Sequence, residues 1–310
     1  MTILVRRSNL VVSVADADRV GAAWRHDADA ITLDLAGADA AAKKRVRDSI
    51  AAAGQGAAEV FVRVDRPFPE AEFEAAVWPG LRGIMLAHVE SAAEIALAVK
   101  TVTALAAARG LAAGSLQFIV TLGSARAVWD IRAIITASPR ITQVGLDESA
   151  LAADLGITDS IKYEAEYDPF VYARGRLAFE ATAAKVNPVG MAYPLSVQQS
   201  EAPAPEIHTL ATKARNLGMK GVICPHPGWV APVNSAFTPT AELVAYNKRV
   251  REAFAAGVAA GTAAVPLDGR MIDVPVDEWA IVVIATAEAC AARDAEKQSA
   301  VSARQPMSKS

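Results

Sequence analysis

The sequence predicts an α/β protein, a TIM (β/α)8 barrel carrying a C-terminal helical lid or oligomer arm. Three observations carry that prediction. Short apolar runs rich in β-branched residues recur eight times along the chain. They are nearly continuous rather than alternating, the pattern of parallel strands covered on both faces. Longer alanine-rich runs with helical period separate them, so the order is β then α throughout. A doubly wound open sheet is the competing arrangement. It needs a glycine-rich turn after the first strand, and "VVSVADADRV" has none.

The strands are read, in order, at Leu10–Val14, Ala30–Leu35, Glu59–Val64, Gly83–Val89, Leu116–Leu122, Ile141–Asp147, Pro188–Pro194 and Gly221–Pro227. The clearest helix lies between the fourth and fifth, over Ala92–Gly110, where Arg109 and Gly110 give a stop signal. The expected barrel therefore spans residues 1–233. Residues 234–293 read as a helical extension that packs on the barrel or on a neighbouring subunit: a helix, the short turn "VPLDGRMIDVP", and a second helix. Residues 294–310 are polar and are expected to be disordered.

Bulk properties narrow the function classes. With 310 residues and 53% hydrophobic composition the chain can bury a large core. A formal net charge of −3 gives no basic surface for nucleic acid. Two cysteines, Cys224 and Cys290, make no disulfide framework, which points to a reduced, cytoplasmic setting. No run reaches the roughly 18 apolar residues of a membrane span, so no membrane partner is expected.

In parallel barrels, chemistry collects where strands end. That rule selects Asp34, either ligand-facing or a loop acid. It selects Arg63, because an arginine closing an apolar strand needs a carboxylate, a phosphate or a ligand anion. His88 and Glu90 end the fourth strand, and alternation puts them on the same face. Glu90 alternatively caps the next helix. Asp147 and Glu148 end the sixth strand, as Mg²⁺ ligands or as acids opening a helix. Arg174 and Arg176 suit a helical ion pair. His226 stands clamped between Pro225 and Pro227, aimed at the rim or satisfied internally.

Taken together, "RRSNLVVSV", "DAITLDL", "VFVRVD", "LRGIMLAHVESAAEI", "ARAVWDI", "YARGRL", "GVICPHPGWVAPVNSAFTPTAEL" and "DGRMIDVPV" resemble the citrate lyase β-subunit-like branch of the HpcH/HpaI aldolase/citrate lyase superfamily. The resemblance implies a homo-oligomer, a trimer or hexamer, whose C-terminal arm packs on a neighbour. It implies carbon–carbon lyase or aldolase chemistry on 3-hydroxyacyl thioesters, often of coenzyme A, with Mg²⁺. Arg63 matches the substrate-binding arginine, and Asp273 an acid reaching a neighbouring site. Residues Pro225–Phe237 match the loop at the barrel mouth, which makes His226, with Arg174 and Asp34, a substrate-binding candidate.

The chain departs from the pattern at several rim positions. Ala36 replaces a glutamate, Ala87–His88 replace Pro-Lys, and Ser13–Val14 replace Pro-Gly. Gly123 falls where the family carries a metal-ligating glutamate. The metal-binding aspartate aligns on Ala150 without gaps, or on Glu148 if two residues are inserted. The Mg²⁺ site is therefore expected to be weakened or absent. Two functions follow. One is a divergent lyase on a coenzyme A thioester or a 3-hydroxy acid, with Arg63 binding carboxylate and His88 or Asp273 moving the proton. The other is a non-catalytic paralogue that binds an acyl thioester or a partner subunit. An aldolase for free acids, with a changed mouth at residues 192–206, is a third.

Overall fold

A computed structural model describes residues 3–157, 168–191 and 203–304. Eight parallel strands form one sheet: β1 (Ser8–Ser13), β2 (Ala30–Asp34), β3 (Glu59–Asp65), β4 (Gly83–Ala87), β5 (Gln117–Leu122), β6 (Ile141–Leu146), β7 (Asn187–Val189) and β8 (Val222–Cys224). Their spatial order is β7-β6-β5-β4-β3-β2-β1-β8. Asn9 of β1 lies between Ala30 of β2 and Ile223 of β8, so the sheet curls past its first strand. Two backbone hydrogen bonds bridge the seam between the ends. The Gly190 N–H donates to the Gly221 carbonyl (3.0 Å), and the Lys220 N–H to the Pro188 carbonyl (2.7 Å). The result is the nearly closed barrel that the β/α alternation predicts.

The last two strands are shorter than expected, for a local reason. Pro225 has no N–H to donate, so the β8 ladder stops at Cys224. The expected seventh strand runs past Met191 into residues outside those described.

β3 samples the barrel interior from base to mouth. At the period of two proper to a strand, Glu59, Phe61, Arg63 and Asp65 point inward. Glu59 meets buried Arg6 at the base (Nε–Oε2 2.7 Å). Phe61 joins Ala30, Met85 and Ile119 in a small central layer, with Ile223 packed on it. Arg63 and Asp65 open onto the mouth. The outward residues of the same strands, such as Val60, Val62 and Val64, belong to the large apolar cluster beneath the surrounding helices.

The C-terminal region needs two corrections to the sequence-based boundaries. Position 234 lies inside helix Val230–Phe237, which packs on the barrel. Asn234 accepts a hydrogen bond from Ser8 (2.7 Å) and donates to the Asp27 carbonyl (2.9 Å). The extension begins with helix Ala241–Ala259, followed by the hairpin β9 (Val265–Leu267) and β10 (Arg270–Ile272). The polar segment from residue 294, expected to be disordered, continues helix Val274–Ser302. Lys297 is 1% exposed and donates to Asp29 (2.8 Å) and to the Asp27 carbonyl (2.8 Å), while Asp294 pairs with Arg7. A polar composition reads as disorder only when its charges lack buried partners, and these have them. No helix among the described residues is long and apolar enough to cross a membrane.

Candidate functional site

The ends of β2, β3, β4 and β6 bring charged side chains to one mouth. Arg63 lies between two carboxylates, Asp34 (Nη1–Oδ2 3.0 Å) and Asp65 (Nη2–Oδ1 2.8 Å). Its side chain keeps 22% exposure. Burial works against the guanidinium charge, but Asp34, Asp65 and Asp147 outweigh it and bind its proton more tightly.

His88 follows β4, which stops at Ala87, so the alternation expected to place His88 and Glu90 on one face does not extend to them. His88 has φ +62, a left-handed conformation that histidine tolerates better than most side chains. Its Nε2 is 3.0 Å from Asp147 Oδ2, and its Nδ1 is 3.5 Å from Asp65 Oδ1. The ring thus bridges carboxylates from β3 and from the end of β6. The hydrogen bond to Asp147 raises the His88 pKa above its ordinary 6.5, against the opposing effect of burial. Asp147 moves the other way. Burial would raise it, but the His88 contact and the Ala150 amide hold it below the usual carboxylate range.

Asp147 is also the N-cap of helix Glu148–Asp154, its Oδ1 accepting from the Ala150 N–H (3.0 Å). The acids therefore open a helix, one of the two readings of this pair, and Asp147 also lines the mouth. Glu148 is buried against Arg174. Both its carboxylate oxygens meet Arg174, at 2.5 and 3.1 Å, and Arg174 also binds Asp168. A cavity of about 410 Å³ opens among these groups. Asp34, Arg63, Thr121, Asp147, Glu148 and Arg174 form its polar wall. Met85, Leu177, Met191, Met219 and Trp229 form an apolar one.

None of the other candidates lines the cavity. The His226 Nδ1 accepts from the Gly228 N–H (3.1 Å) and caps the turn Pro227–Trp229. Pro225 ends the strand and Pro227 opens that turn, which accounts for the pair of prolines. The cavity wall takes Pro225 and Trp229 from this segment. Asp273 caps helix Val274–Ser302, accepting from the Val276 N–H (3.3 Å). Glu90 pairs with Arg66 (2.8 Å); the helix cap expected of Glu90 is made instead by Ser91, in a capping box with Glu94. Arg176 lies over the Trp129 ring at 5.0 Å, away from the mouth. Sequence reasoning missed Asp65, Thr121 and Trp229. Asp65 carried a usable signal, since it stands two residues beyond Arg63 on the same strand and must share its face.

Mg²⁺ requires near-octahedral oxygen ligation at short range. At this mouth the acids named as its ligands already have other partners. Asp147 has one oxygen on His88 and one on the Ala150 amide, and Glu148 has both on Arg174. Among the described residues no group of three or more His, Cys, Asp or Glu side chains could hold a metal ion.

Comparison with known proteins agrees with this architecture. The family model described as HpcH/HpaI aldolase/citrate lyase matches residues 7–227. The L-malyl-CoA/beta-methylmalyl-CoA lyase of Cereibacter sphaeroides is 26% identical over 218 residues, 66% of this chain and 67% of that protein. The citrate lyase subunit beta of Haemophilus influenzae is 26% identical over 292 residues, 92% of this chain and 97% of that protein. Among solved structures, CitE from Mycobacterium tuberculosis, in complex with magnesium, acetoacetate and coenzyme A, superposes with a TM-score of 0.68. Its identity is 21%, over 92% of this chain and 98% of that one. A citrate lyase from Burkholderia xenovorans LB400 reaches a TM-score of 0.73 at 14% identity, over 95% of this chain and 97% of that one.

Proposed function

The chain belongs to the HpcH/HpaI aldolase/citrate lyase family, and from that premise we propose that it is a carbon–carbon lyase acting on a 3-hydroxyacyl thioester of coenzyme A. One observation carries the reading. A half-buried arginine and Asp147, the carboxylate that holds the His88 imidazole, line a cavity that has both a charged and an apolar wall.

In this reading Arg63 binds the substrate carboxylate through charge-assisted hydrogen bonds, with Asp34 and Asp65 holding the guanidinium in place. The neutral His88 imidazole takes the proton of the 3-hydroxyl. The bond between C2 and C3 then breaks, and its electron pair moves into the thioester carbonyl as an enolate. His88 returns the proton to C2, so an acyl thioester and an oxo acid leave. Asp147 stabilises the imidazolium that exists between the two transfers. Asp273, on the C-terminal arm, is assigned to the site of a neighbouring subunit in a homo-oligomer, where it would serve as a second proton carrier. The arm's exposed Met271, Val274 and Trp279 support such packing.

The test is an assay of malyl-, citramalyl- and citryl-coenzyme A with the wild-type chain and with Arg63→Ala. Turnover of one of the three, lost in the variant while its melting temperature is kept, supports the lyase. Thioester binding without turnover of any of them supports the non-catalytic paralogue, which the bare Gly123 and Ala150 positions favour.

A further inference from the structure

Three positions from separate strand ends meet at one point of the mouth. A Cβ built on Gly123 would lie 2.8 Å from the Ala150 Cβ. On the ungapped alignment, the two positions where the family resemblance puts its metal carboxylates are therefore neighbours in space. Neither position carries an oxygen. The same Cβ would lie 2.8 Å from His88 Cδ2. The imidazole already fills the volume into which a side chain at 123 would grow.

The ring is also fixed there. Its backbone is left-handed, one nitrogen is held by Asp147, and the other lies near Asp65. Replacing Gly123 alone would force ring and carboxylate apart, so glycine at 123 and histidine at 88 depend on each other. The side chain that bridges the mouth carboxylates is thus itself a nitrogen base carrying its own proton.

We propose that this mouth is built to work without a divalent cation, with the His88 side chain occupying the metal's seat. Here the substrate carboxylate is met by the Arg63 guanidinium and the 3-hydroxyl by a His88 ring nitrogen. That last statement rests on the lyase reading above; the absence of metal affinity does not.

The test uses the full chain and Mn²⁺ as a paramagnetic probe. Electron paramagnetic resonance of free Mn²⁺ is recorded with wild type, with the double variant His88→Ala/Gly123→Glu, and with His88→Asp, folding of each being checked by circular dichroism. The His88→Asp change adds a carboxylate beside Asp65 and Asp147 without touching Gly123, so it stands if the double variant does not fold. Wild type should leave the Mn²⁺ signal unattenuated at millimolar ion, and a folded variant should bind roughly tenfold tighter or more. Saturable wild-type uptake at submillimolar Mn²⁺ overturns the proposal. Folded variants with no gain over wild type overturn the claim that the ring fills the seat. Failure of the lyase reading appears only in the thioester assay, so the two failures are distinguishable.

Discussion

At the base of the barrel Arg6 is 1% exposed, and its guanidinium is bound by Glu59, Thr142, Gln143 and Gln117 with the Phe61 ring 4.6 Å away. At the mouth Arg63 has two carboxylate partners and keeps part of its surface open to the cavity. Both arginines adjoin short apolar strands, and both meet side chains from β3. The difference lies in what remains after pairing. Around Arg6 nothing is left to offer a ligand, so its charge contributes to holding the barrel. Around Arg63 the pairing is incomplete, so its charge can be shared with an incoming anion. Barrels commonly divide the work this way, with stability at the base and chemistry at the mouth.

The largest expected effect tests the base. Asp29 is fully buried and binds both Arg7 and Lys297. Asp29→Ala takes from two buried cations their one fully buried carboxylate partner and should cost about 3–5 kcal/mol in urea unfolding, while the activity of the folded fraction holds. Substantial loss of activity per folded molecule would erase the division between the two ends. At the mouth the pattern should invert. His88→Gln should lower kcat by roughly 10²- to 10⁴-fold and leave the unfolding midpoint nearly unchanged.

The two ends should also answer pH in opposite senses. Asp29 has its pKa lowered, because Arg7 and Lys297 overcome the effect of burial. Its contribution to stability is present above the ordinary carboxylate value of 3.8 and is lost as pH falls through the folded value. His88 has its pKa raised, chiefly by Asp147. Its contribution is present below 6.5 and is lost as pH rises through the folded value. Cleavage needs the neutral ring, so the acidic limb of kcat against pH should lie above 6.5 and move down in Asp147→Asn. A limb that stays in place in that variant would separate His88 from the proton transfer. The smallest effect is expected at the solvent-facing edge of the mouth. Arg66, paired with Glu90 and Glu94 but nearly half exposed, should cost at most about 1 kcal/mol when changed to alanine.

Much of the fold was legible because its signals are local. Strand β3 is found within one residue of its expected bounds, since "EVFVRV" carries the β-branched run that a doubly covered strand needs. β8 was overextended by the proline pair, whose missing N–H ends the ladder at Cys224. The segment around Lys297 was misjudged as disordered because composition does not reveal that Asp29, 268 positions earlier, waits beneath it. At the mouth, Arg63, Asp34 and Asp147 could be picked out from strand-end position alone. The partners of Glu148 and His226 could not, because nothing in either segment specifies which way its side chain turns.

By itself the sequence determined the eight-fold β/α order, the family, and the set of charged residues at strand ends. Each depends on residues close together in the chain or on motifs that survive as strings. Tertiary structure alone decided that Gly123, Ala150 and His88 share one small volume, and that Asp147 faces the mouth while Glu148 is spent on Arg174. Those outcomes turn on packing between separate strand ends, where ångström-scale clearances select which side chain occupies a site and no local pattern encodes the clearance.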